Sequence, residues 1–245
     1  MGKTVLVTGG SSGVGRAIVV RLAKEGYRVI TCARQIDKLT ALKTELESQG
    51  YIIFPFKTDL RIEKSILQLF AKIRKQFGGI DVLVNSAAVG HRAPLLSSPT
   101  NLWREMLSVN ILAICICSRE AIKDLNHRQE KGHIINISSL SGHRLASEAG
   151  IYEATKFAVT AITEGLRREL LSTDGRIKVT QVSPGLVKSN FHEQYYKSSE
   201  EAESIYNQFT PLSGSDIAET VFYILSQPEN VQIHDILLRP VGQMS

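Results

Sequence analysis

The chain has 245 residues, 43% of them hydrophobic and 22% charged, which is typical of a globular protein with one large α/β domain or two small ones. Its three cysteines are too few for a disulfide framework, and no apolar run reaches the ~18 residues that a membrane span requires. The net charge of +5 comes from scattered Lys and Arg without a run of five or more, a pattern that disfavours nucleic-acid binding but would help to attract an anionic cofactor.

Short apolar runs alternate with longer segments of helical period. The predicted strands lie near 3–8, 28–33, 51–57, 80–85, 132–138, 177–183 and 233–238. The predicted helices lie near 13–25, 37–49, 62–77, 100–127, 150–172 and 214–227. This alternation predicts an α/β fold, a doubly wound parallel sheet of about seven strands with helices on both faces. No repeat or linker interrupts it, so residues 1–245 are expected to form a single domain.

The first strand starts almost at the N-terminus, without the charged and apolar regions of a signal peptide, so a cytoplasmic location is expected. That strand runs into a glycine-rich turn and then a helix. The turn offers these residues for phosphate binding: Gly9, Ser11, Ser12, Gly13, Val14 and Gly15. Glycines permit a tight turn and bring backbone N–H groups close to a pyrophosphate. A turn that serves packing alone is the alternative.

Residues 152–156 read YEATK. On a helix, Tyr152 and Lys156 are one turn apart and lie on nearly the same face, so a phenol and an ammonium can act on one small volume. Taken alone, the pentapeptide also suits an ordinary amphipathic helix. Other motifs have to decide between the two interpretations.

The glycine spacing that follows Thr8, together with Tyr152-x-x-x-Lys156, resembles the short-chain dehydrogenase/reductase family. Other residues match the family's functional positions over almost the whole chain: Asp59, Asn85-Ser86-Ala87-Ala88, Asn110, Ser139 and Pro184-Gly185. The resemblance implies a Rossmann-type fold and the interconversion of an alcohol and a carbonyl by hydride transfer. One match differs, because Ala88 stands where the family usually has a glycine, and a small local adjustment is expected there.

The resemblance assigns further residues to a nicotinamide cofactor. Asp59 would bind the adenine amino group, Leu60 would supply a backbone contact, and Lys156 would hold the nicotinamide ribose. The remaining cofactor contacts are expected from Asn85, Ala87, Tyr152, Pro184, Gly185 and Val187. A cap on the strand turn is an equally good interpretation of Asn85.

The end of the second strand predicts which nicotinamide is bound. NAD-binding folds place an acidic residue there to bind the adenosine ribose, whereas this chain has Ala33 followed by Arg34. A guanidinium can bind a 2′-phosphate in bidentate fashion, so NADP(H) is predicted. Asp37 is the competing acid, but a place in the first turn of the following helix suits it. Ser11 and Ser12 could contact the same phosphate or cap the helix.

Four catalytic residues are predicted from the resemblance. Tyr152 transfers the proton, Lys156 favours the phenolate, and Ser139 supplies a second hydrogen bond to the reacting oxygen. Ser138 and Ser141 compete with Ser139, but one should point to the other side of the strand and the other lies further into the loop. Asn110 would link Lys156 to solvent through water; a polar residue at a helix kink is its alternative.

Residues 186–212 form a long polar and aromatic insertion that is expected to be a substrate-binding loop or lid. The predicted substrate pocket contains His143, Phe191, His192 and Tyr195. Packing of the loop on its own domain explains the aromatic residues equally well. His91, His143 and His192 could border the pocket, but no histidine is paired with a carboxylate at telling spacing, and neither a catalytic histidine nor a metal is predicted.

The segment 230–243 resembles a subgroup with insect farnesol dehydrogenases, vertebrate steroid and dicarbonyl reductases, and microbial 3-hydroxy acid dehydrogenases. A lipophilic alcohol or carbonyl (farnesol/farnesal-like, steroid or dicarbonyl) is therefore the predicted substrate. The alternatives are a 3-hydroxy acid such as serine, or a non-catalytic NADP-binding sensor or scaffold. The helices near 100–127 and 150–172 match those through which the family forms homotetramers and homodimers; the apolar positions are Ile111, Ile114, Ala158 and Ala161.

Overall fold

Seven parallel strands form one sheet in the computed structural model, which describes residues 2–145, 150–172 and 175–243. The strands are β1 Thr4–Thr8, β2 Arg28–Ala33, β3 Ile53–Lys57, β4 Val82–Asn85, β5 Gly132–Ile137, β6 Ile177–Pro184 and β7 Asp235–Leu238. They lie in the order β3-β2-β1-β4-β5-β6-β7. The chain therefore adds β2 and β3 on one side of β1 and then adds β4 to β7 on the other side. The predicted doubly wound sheet is confirmed.

Helices cover both faces of this sheet. They are α1 Gly13–Lys24, α2 Ile36–Glu47, α3 Glu63–Phe77, α4 Thr100–Leu107, α5 Ala113–Arg128, α6 Ile151–Leu171, α7 Asn190–Tyr196, α8 Ser199–Tyr206 and α9 Gly214–Leu225. Val5 and Val7 of β1 pack in one hydrophobic core with α1, α2 and α9, while Leu6 packs in the other with α3 and α5. This alternation follows from the two-residue period of a strand.

The predicted helix near 100–127 is interrupted. A π-helical turn, Ser108–Leu112, joins α4 to α5 and contains Asn110. Each π turn holds one residue more than an α turn, and such turns occur frequently at functional sites. The apolar period of the segment suits a continuous helix equally well, so the sequence pattern did not reveal the interruption.

The expected loop at 186–212 contains two helices, α7 and α8, which the sequence analysis missed. Ser189 and Ser198 are their N-caps: the Ser189 hydroxyl accepts from the backbone N–H of Phe191, and the Ser198 hydroxyl from that of Glu201. Val187 pairs with Leu212 at the base of the segment. These short polar helices have too few turns for a recognisable apolar period.

A buried amide network ties the centre of the sheet to the helices. Asn85 Nδ2 donates to Asn136 Oδ1 at 2.9 Å and to Ser118 Oγ at 3.2 Å, and Asn136 Nδ2 donates to Thr163 Oγ1 at 2.9 Å. The network joins β4 and β5 to α5 and α6. Because buried polar groups are costly when unpaired, it fixes the relative position of these elements.

The apolar positions predicted for subunit contacts differ in burial. Ile114 is buried in the chain's own interior, Ile111 and Ala158 are half-buried, and Ala161 is exposed. Oligomer formation through these helices stays a prediction. Within the described residues, none of the helices has both the length and the apolarity needed to cross a bilayer.

We expect Asn136→Ala to lower the free energy of unfolding by about 1–3 kcal/mol. The substitution removes the hydrogen bonds that the buried side chains of Asn85 and Thr163 make with Asn136. Urea unfolding measures the change. The exposed Asn126→Ala on α5 is the control and should change it by less than about 0.5 kcal/mol. Equal losses in the two variants would contradict the role of the network.

Candidate active site

A cavity of about 700 Å³ lies at the carboxyl ends of the strands. Segments that follow six of the strands contribute to its wall, including 9–15, 33–35, 58–61, 86–89, 138–141 and 184–187. In a doubly wound sheet this edge is where ligands bind, because the order of the strands reverses there.

The glycine turn has the close packing that a dinucleotide cradle requires. Gly9 has a φ of +76°, and a Cβ on it would lie 2.8 Å from the Ala87 Cα. A Cβ on Gly15 would lie 2.3 Å from the Gly9 carbonyl oxygen. Ser12 is at the N-cap of α1, yet its side chain makes no capping hydrogen bond. The turn therefore presents backbone and hydroxyl groups at a helix N-terminus, an arrangement that suits phosphate binding.

Thr8 fixes the loop opposite the turn. Its Oγ1 accepts hydrogen bonds from the backbone N–H groups of Ser86 and Ala87, both at 3.1 Å. Ala88, where the family resemblance predicted a glycine, lies on the cavity wall with these two residues. The loop after β4 is thereby held against the end of β1.

Charged side chains surround the other side of the cavity. Arg34 lies on the wall with a half-exposed side chain, and its Nη1 is 3.4 Å from Glu105 Oε1. Asp59 also lies on the wall and forms an ion pair with Arg61, Nη2 to Oδ2 at 2.6 Å. The hydrogen bond from Arg61 holds the pKa of Asp59 below its ordinary value. Leu60 completes this part of the wall.

Ser139, Tyr152 and Lys156 meet on the cavity wall. The Ser139 hydroxyl accepts from the Ser141 backbone N–H at 3.1 Å. Hydrogen bonding by Ser139 lowers the pKa of the Tyr152 phenol. Lys156 Nζ donates to the Ile137 carbonyl at 3.1 Å and lies 5.8 Å from the centroid of the Tyr152 ring.

Ser138, one of the competing serines, has a structural role. The Ser138 hydroxyl is buried and donates to the Lys156 backbone carbonyl at 3.3 Å, which holds α6 against the end of β5. Ser141 lies on the wall, and its backbone N–H fixes the Ser139 side chain. Among these three serines, Ser139 is therefore the one whose hydroxyl contacts the phenol.

Burial sets the protonation of the phenol and the ammonium. It raises the pKa of Tyr152 well above its ordinary value, and the hydrogen bond from Ser139 lowers it by less. Burial also lowers the pKa of Lys156 to about 8. At pH 7 the phenol is thus protonated and most of the lysine is charged. Desolvation is the largest influence on the Tyr152 phenol, and the expectation that the neighbouring ammonium favours phenolate stays a prediction.

Glu153, treated as a spacer by the sequence pattern, helps to begin this helix. Its Oε2 accepts from the Gly150 backbone N–H at 2.8 Å, which supplies one half of a capping box at the N-terminus of α6, since glycine has no side chain to supply the other half. Capping satisfies a backbone donor that a helix start leaves free. The turn that carries Tyr152 is therefore anchored on its buried side.

Within the described part of the chain, four predicted site residues lie off the cavity wall: Asn85, Asn110, His143 and Tyr195. Asn85 belongs to the interior amide network, which corrects its assignment to the cofactor. Asn110 is buried in the π turn, where it bonds to the Val89 backbone N–H and carbonyl at 2.9 and 2.8 Å and to Thr155 Oγ1 at 3.1 Å. It positions the loop after β4 and the turn that carries Tyr152.

His143 and His91 do have carboxylate partners, which the sequence spacing did not reveal. His143 Nε2 lies 2.8 Å from Ser183 Oγ and 3.3 Å from Asp235 Oδ2, behind the cavity wall. His91 Nε2 lies 2.9 Å from Glu105 Oε2. Glu105 is 14 residues from His91, and Asp235 is on β7 in the C-terminal part of the chain, so no local pattern predicts either pair. His143 does not line the described cavity wall, and its contact with substrate stays a prediction.

Aromatic side chains of α7 cover Tyr152. The Phe191 and Tyr195 ring centroids lie 5.3 and 5.8 Å from that of Tyr152. The Tyr195 ring stacks on the Phe191 ring, and Phe191 lies on the cavity wall. His192 is also on the wall and contacts the Tyr206 hydroxyl through Nδ1 at 3.0 Å. Burial lowers its pKa to about 4, so it is neutral at pH 7.

Gly90, which the sequence analysis missed, leaves the space that these rings occupy because it has no side chain. A Cβ at this position would lie 2.3 Å from Phe191 Cζ and 3.0 Å from Tyr195 Cδ2. Other wall residues were missed as well: Gln35, Thr58, Arg61, Arg144, Leu145, Asn190, Gln194 and Gln243. Asn190 and Gln194 belong to α7, and the others belong to loops or to the C-terminal segment. Adjacency to Asp59 and Leu60 was a signal for Arg61 alone. No group of three or more metal-ligating side chains occurs among the described residues.

Comparisons with known proteins agree with this geometry. Residues 3–200 match the sequence profile described as short chain dehydrogenase. Dehydrogenase/reductase SDR family member 11 from Gallus gallus is 42% identical over 100% of this chain and 98% of the relative. Farnesol dehydrogenase from Aedes aegypti is 39% identical over 99% of this chain and 97% of the relative.

A solved structure gives the same result for the fold. The closed form of a serine dehydrogenase complexed with NADP+ superposes with a TM-score of 0.91 at 30% sequence identity, covering 99% of this chain and 96% of that one. Sequence profile, full-length relatives and fold therefore lead to one conclusion. The chain belongs to the short-chain dehydrogenase/reductase family of oxidoreductases.

Proposed function

We propose that the protein is an NADP(H)-dependent oxidoreductase that interconverts a lipophilic alcohol and the corresponding carbonyl. The observation that carries this proposal is the position of Ser139, Tyr152 and Lys156 on the wall of the cavity that also contains the glycine turn. Proton transfer and dinucleotide binding can therefore occur in one site. A bound nicotinamide would supply the hydride, or accept it in the reverse direction.

The chain's own residues would hold the cofactor along the strand ends. The backbone and hydroxyl groups of residues 9–15 would surround the phosphates, and Asp59 and Leu60, which lie on the cavity wall, would border the adenine. Lys156 would hold the nicotinamide ribose. Ala87, Pro184, Gly185 and Val187 lie on the wall where they would border the nicotinamide half.

In the reducing direction, Tyr152 donates its proton to the substrate oxygen. The raised pKa keeps this proton on the phenol at neutral pH, and the hydrogen bond from Ser139 stabilises the phenolate that remains. Lys156, charged at pH 7 and close to the ring, stabilises the same anion. Asn110 acts as a positioning residue through Val89 and Thr155.

NADP(H) rather than NAD(H) is supported by the adenosine side of the cavity. Ala33 leaves no carboxylate at the end of β2 to repel a 2′-phosphate, and the Arg34 guanidinium lies on the wall beside it. The serine dehydrogenase of similar fold is a complex with NADP+. Ser12, whose hydroxyl does not cap α1, would add a contact to the same phosphate.

The aromatic cover favours a lipophilic substrate. Phe191 presents an apolar face beside Tyr152, and α7 contributes Phe191 and His192 to the cavity wall. The similarity to a farnesol dehydrogenase supports the same class. We therefore propose that the segment 186–212 is the substrate-binding cover.

A 3-hydroxy acid is the second candidate. Arg144 lies on the cavity wall a few residues after Ser139 and could pair with a substrate carboxylate. The high TM-score with a serine dehydrogenase also favours it. A panel of farnesal, steroid ketones, dicarbonyls and 3-hydroxy acids separates the two candidates.

Tyr152→Phe tests catalysis. It removes the transferred proton and should lower kcat about 10²–10⁴-fold with the best substrate of the panel. NADPH affinity, measured by fluorescence titration, should stay within about twofold because the ring and Lys156 remain. Tyr51→Phe removes a hydroxyl away from the cavity and is the control. Wild-type protein that binds NADPH but turns over no member of the panel would identify a sensor instead.

Arg34→Gln tests the cofactor preference. Loss of a charge-assisted contact to phosphate should raise the Kd of NADPH about 10- to 100-fold, and NADH binding should be little affected. The control is Arg168→Gln, which removes the same charge from an exposed site on α6. Equal affinities of the wild type for NADPH and NADH would contradict the preference. An Arg34→Gln variant that loses the same affinity for NADPH as for NADH would contradict it as well.

Gly90→Ala tests the aromatic cover. The backbone accepts alanine, because Gly90 lacks a left-handed φ, but the methyl group would displace Phe191. We expect KM for a lipophilic carbonyl to rise roughly tenfold, as overpacking costs about 1–3 kcal/mol, while the Kd of NADPH is unchanged. Gly165→Ala, in open space, is the control.

A double-mutant cycle checks whether the added methyl group acts by displacing Phe191. In a Phe191→Ala background, Gly90→Ala should change KM by less than about twofold because the obstructing ring is gone. The same increase in both backgrounds would show that the methyl group acts elsewhere.

A further inference from the structure

Arg61 has a place on the cavity wall that the proposed function leaves unexplained. It directly follows Leu60, faces the same space as Arg34, and keeps 42% of its side chain exposed. A guanidinium on the adenosine side of a nucleotide cavity either serves the fold or binds an anionic part of the ligand.

The Arg61 guanidinium is held at a fixed angle. Its Nε lies 2.9 Å from Asp59 Oδ1 and its Nη2 lies 2.6 Å from Asp59 Oδ2, a bidentate pair. The Arg61 backbone N–H also donates to Asp59 Oδ1, at 3.0 Å. Because two of the three guanidinium nitrogens are fixed in this way, the direction of Nη1 is fixed as well.

Nη1 of Arg61 and Nη1 of Arg34 share one neighbour. Each lies 3.4 Å from the same oxygen, Glu105 Oε1. The other oxygen of Glu105 is occupied by His91 at 2.9 Å, and Glu105 itself is not among the described wall residues. The carboxylate therefore holds the two like charges together from behind the wall.

These two contacts are long. Charge-assisted hydrogen bonds between a guanidinium and an oxyanion usually measure about 2.7–2.9 Å, so both Nη1 groups are weakly bound to Glu105. A phosphate has three oxygens and carries up to two negative charges, so it can accept from two guanidinium groups at once. The shared position of the two Nη1 groups suits such a ligand better than a ribose hydroxyl.

We propose that Arg61 is the second guanidinium of the 2′-phosphate site, acting together with Arg34. The inference rests on the proposed NADP(H) function and adds a residue that determines cofactor specificity. In this arrangement Asp59 orients Arg61 from the adenine side, and Glu105 keeps the two guanidinium groups adjacent.

The test uses two fragments that isolate the adenosine end: adenosine 2′,5′-bisphosphate and AMP, which differ only in the 2′-phosphate. Isothermal titration calorimetry gives the Kd of each. Wild type should bind the bisphosphate more tightly than AMP. Arg61→Gln should weaken the bisphosphate about tenfold and leave AMP within about twofold, because only the bisphosphate carries the group that Arg61 contacts.

Arg61→Gln also leaves Asp59 without its partner, and that carboxylate could repel the phosphate indirectly. The double variant Asp59→Asn/Arg61→Gln removes both charges. Because Asp59 also faces the adenine side, bisphosphate binding is compared with AMP binding in the same variant. If Arg61 binds the phosphate itself, the double variant keeps the reduced preference for the bisphosphate that Arg61→Gln shows. Recovery of the wild-type preference in the double variant would overturn the proposal.

The remaining outcomes separate the inference from the proposed function. Suppose that the wild type prefers the bisphosphate, but Arg61→Gln leaves the binding of both fragments unchanged or weakens both equally. The role of Arg61 is then rejected, while the proposed NADP(H) preference stands. A wild type that binds the two fragments equally rejects the NADP(H) preference, and the role of Arg61 with it.

Discussion

The parallel pairing of the strands is the constraint on which the site depends. Parallel strands bring all their carboxyl ends to one edge, so short segments after six strands reach a common cavity although they are far apart in the chain. The buried amides of Asn85 and Asn136 hold β4 and β5 in register with α5 and α6. The wall positions of Ser139, Tyr152 and Lys156 follow from that alignment.

Burial gives these residues their chemistry. Desolvation raises the pKa of the Tyr152 phenol and lowers that of the Lys156 ammonium to about 8. The aromatic cover on α7 contributes to this burial, since Phe191 and Tyr195 pack on the Tyr152 ring. In the proposed function, substrate binding and proton transfer would therefore depend on the same contacts.

Regular patterns in the sequence predicted the sheet and the glycine turn, because each depends on local period or spacing. The group of Ser139, Tyr152 and Lys156 was predicted from the resemblance of several motifs to a known family. Contacts between distant segments could not be predicted in this way. Gly90 meets Phe191 and Arg61 meets Glu105 only after folding. The π turn at Asn110 and the helices α7 and α8 were missed because their residues suit other local structures as well. His143 was placed in the pocket from its loop position, whereas Asp235 on β7 draws it behind the wall.

The most direct measurement of the central claim follows the hydride itself. Wild-type protein is incubated with farnesal and NADPH that carries deuterium at both C4 positions of the nicotinamide, and the alcohol is analysed by mass spectrometry. The account predicts farnesol with one deuterium on its carbinol carbon. Alcohol without deuterium, or no alcohol from farnesal or from the other carbonyl compounds of the panel, would contradict it.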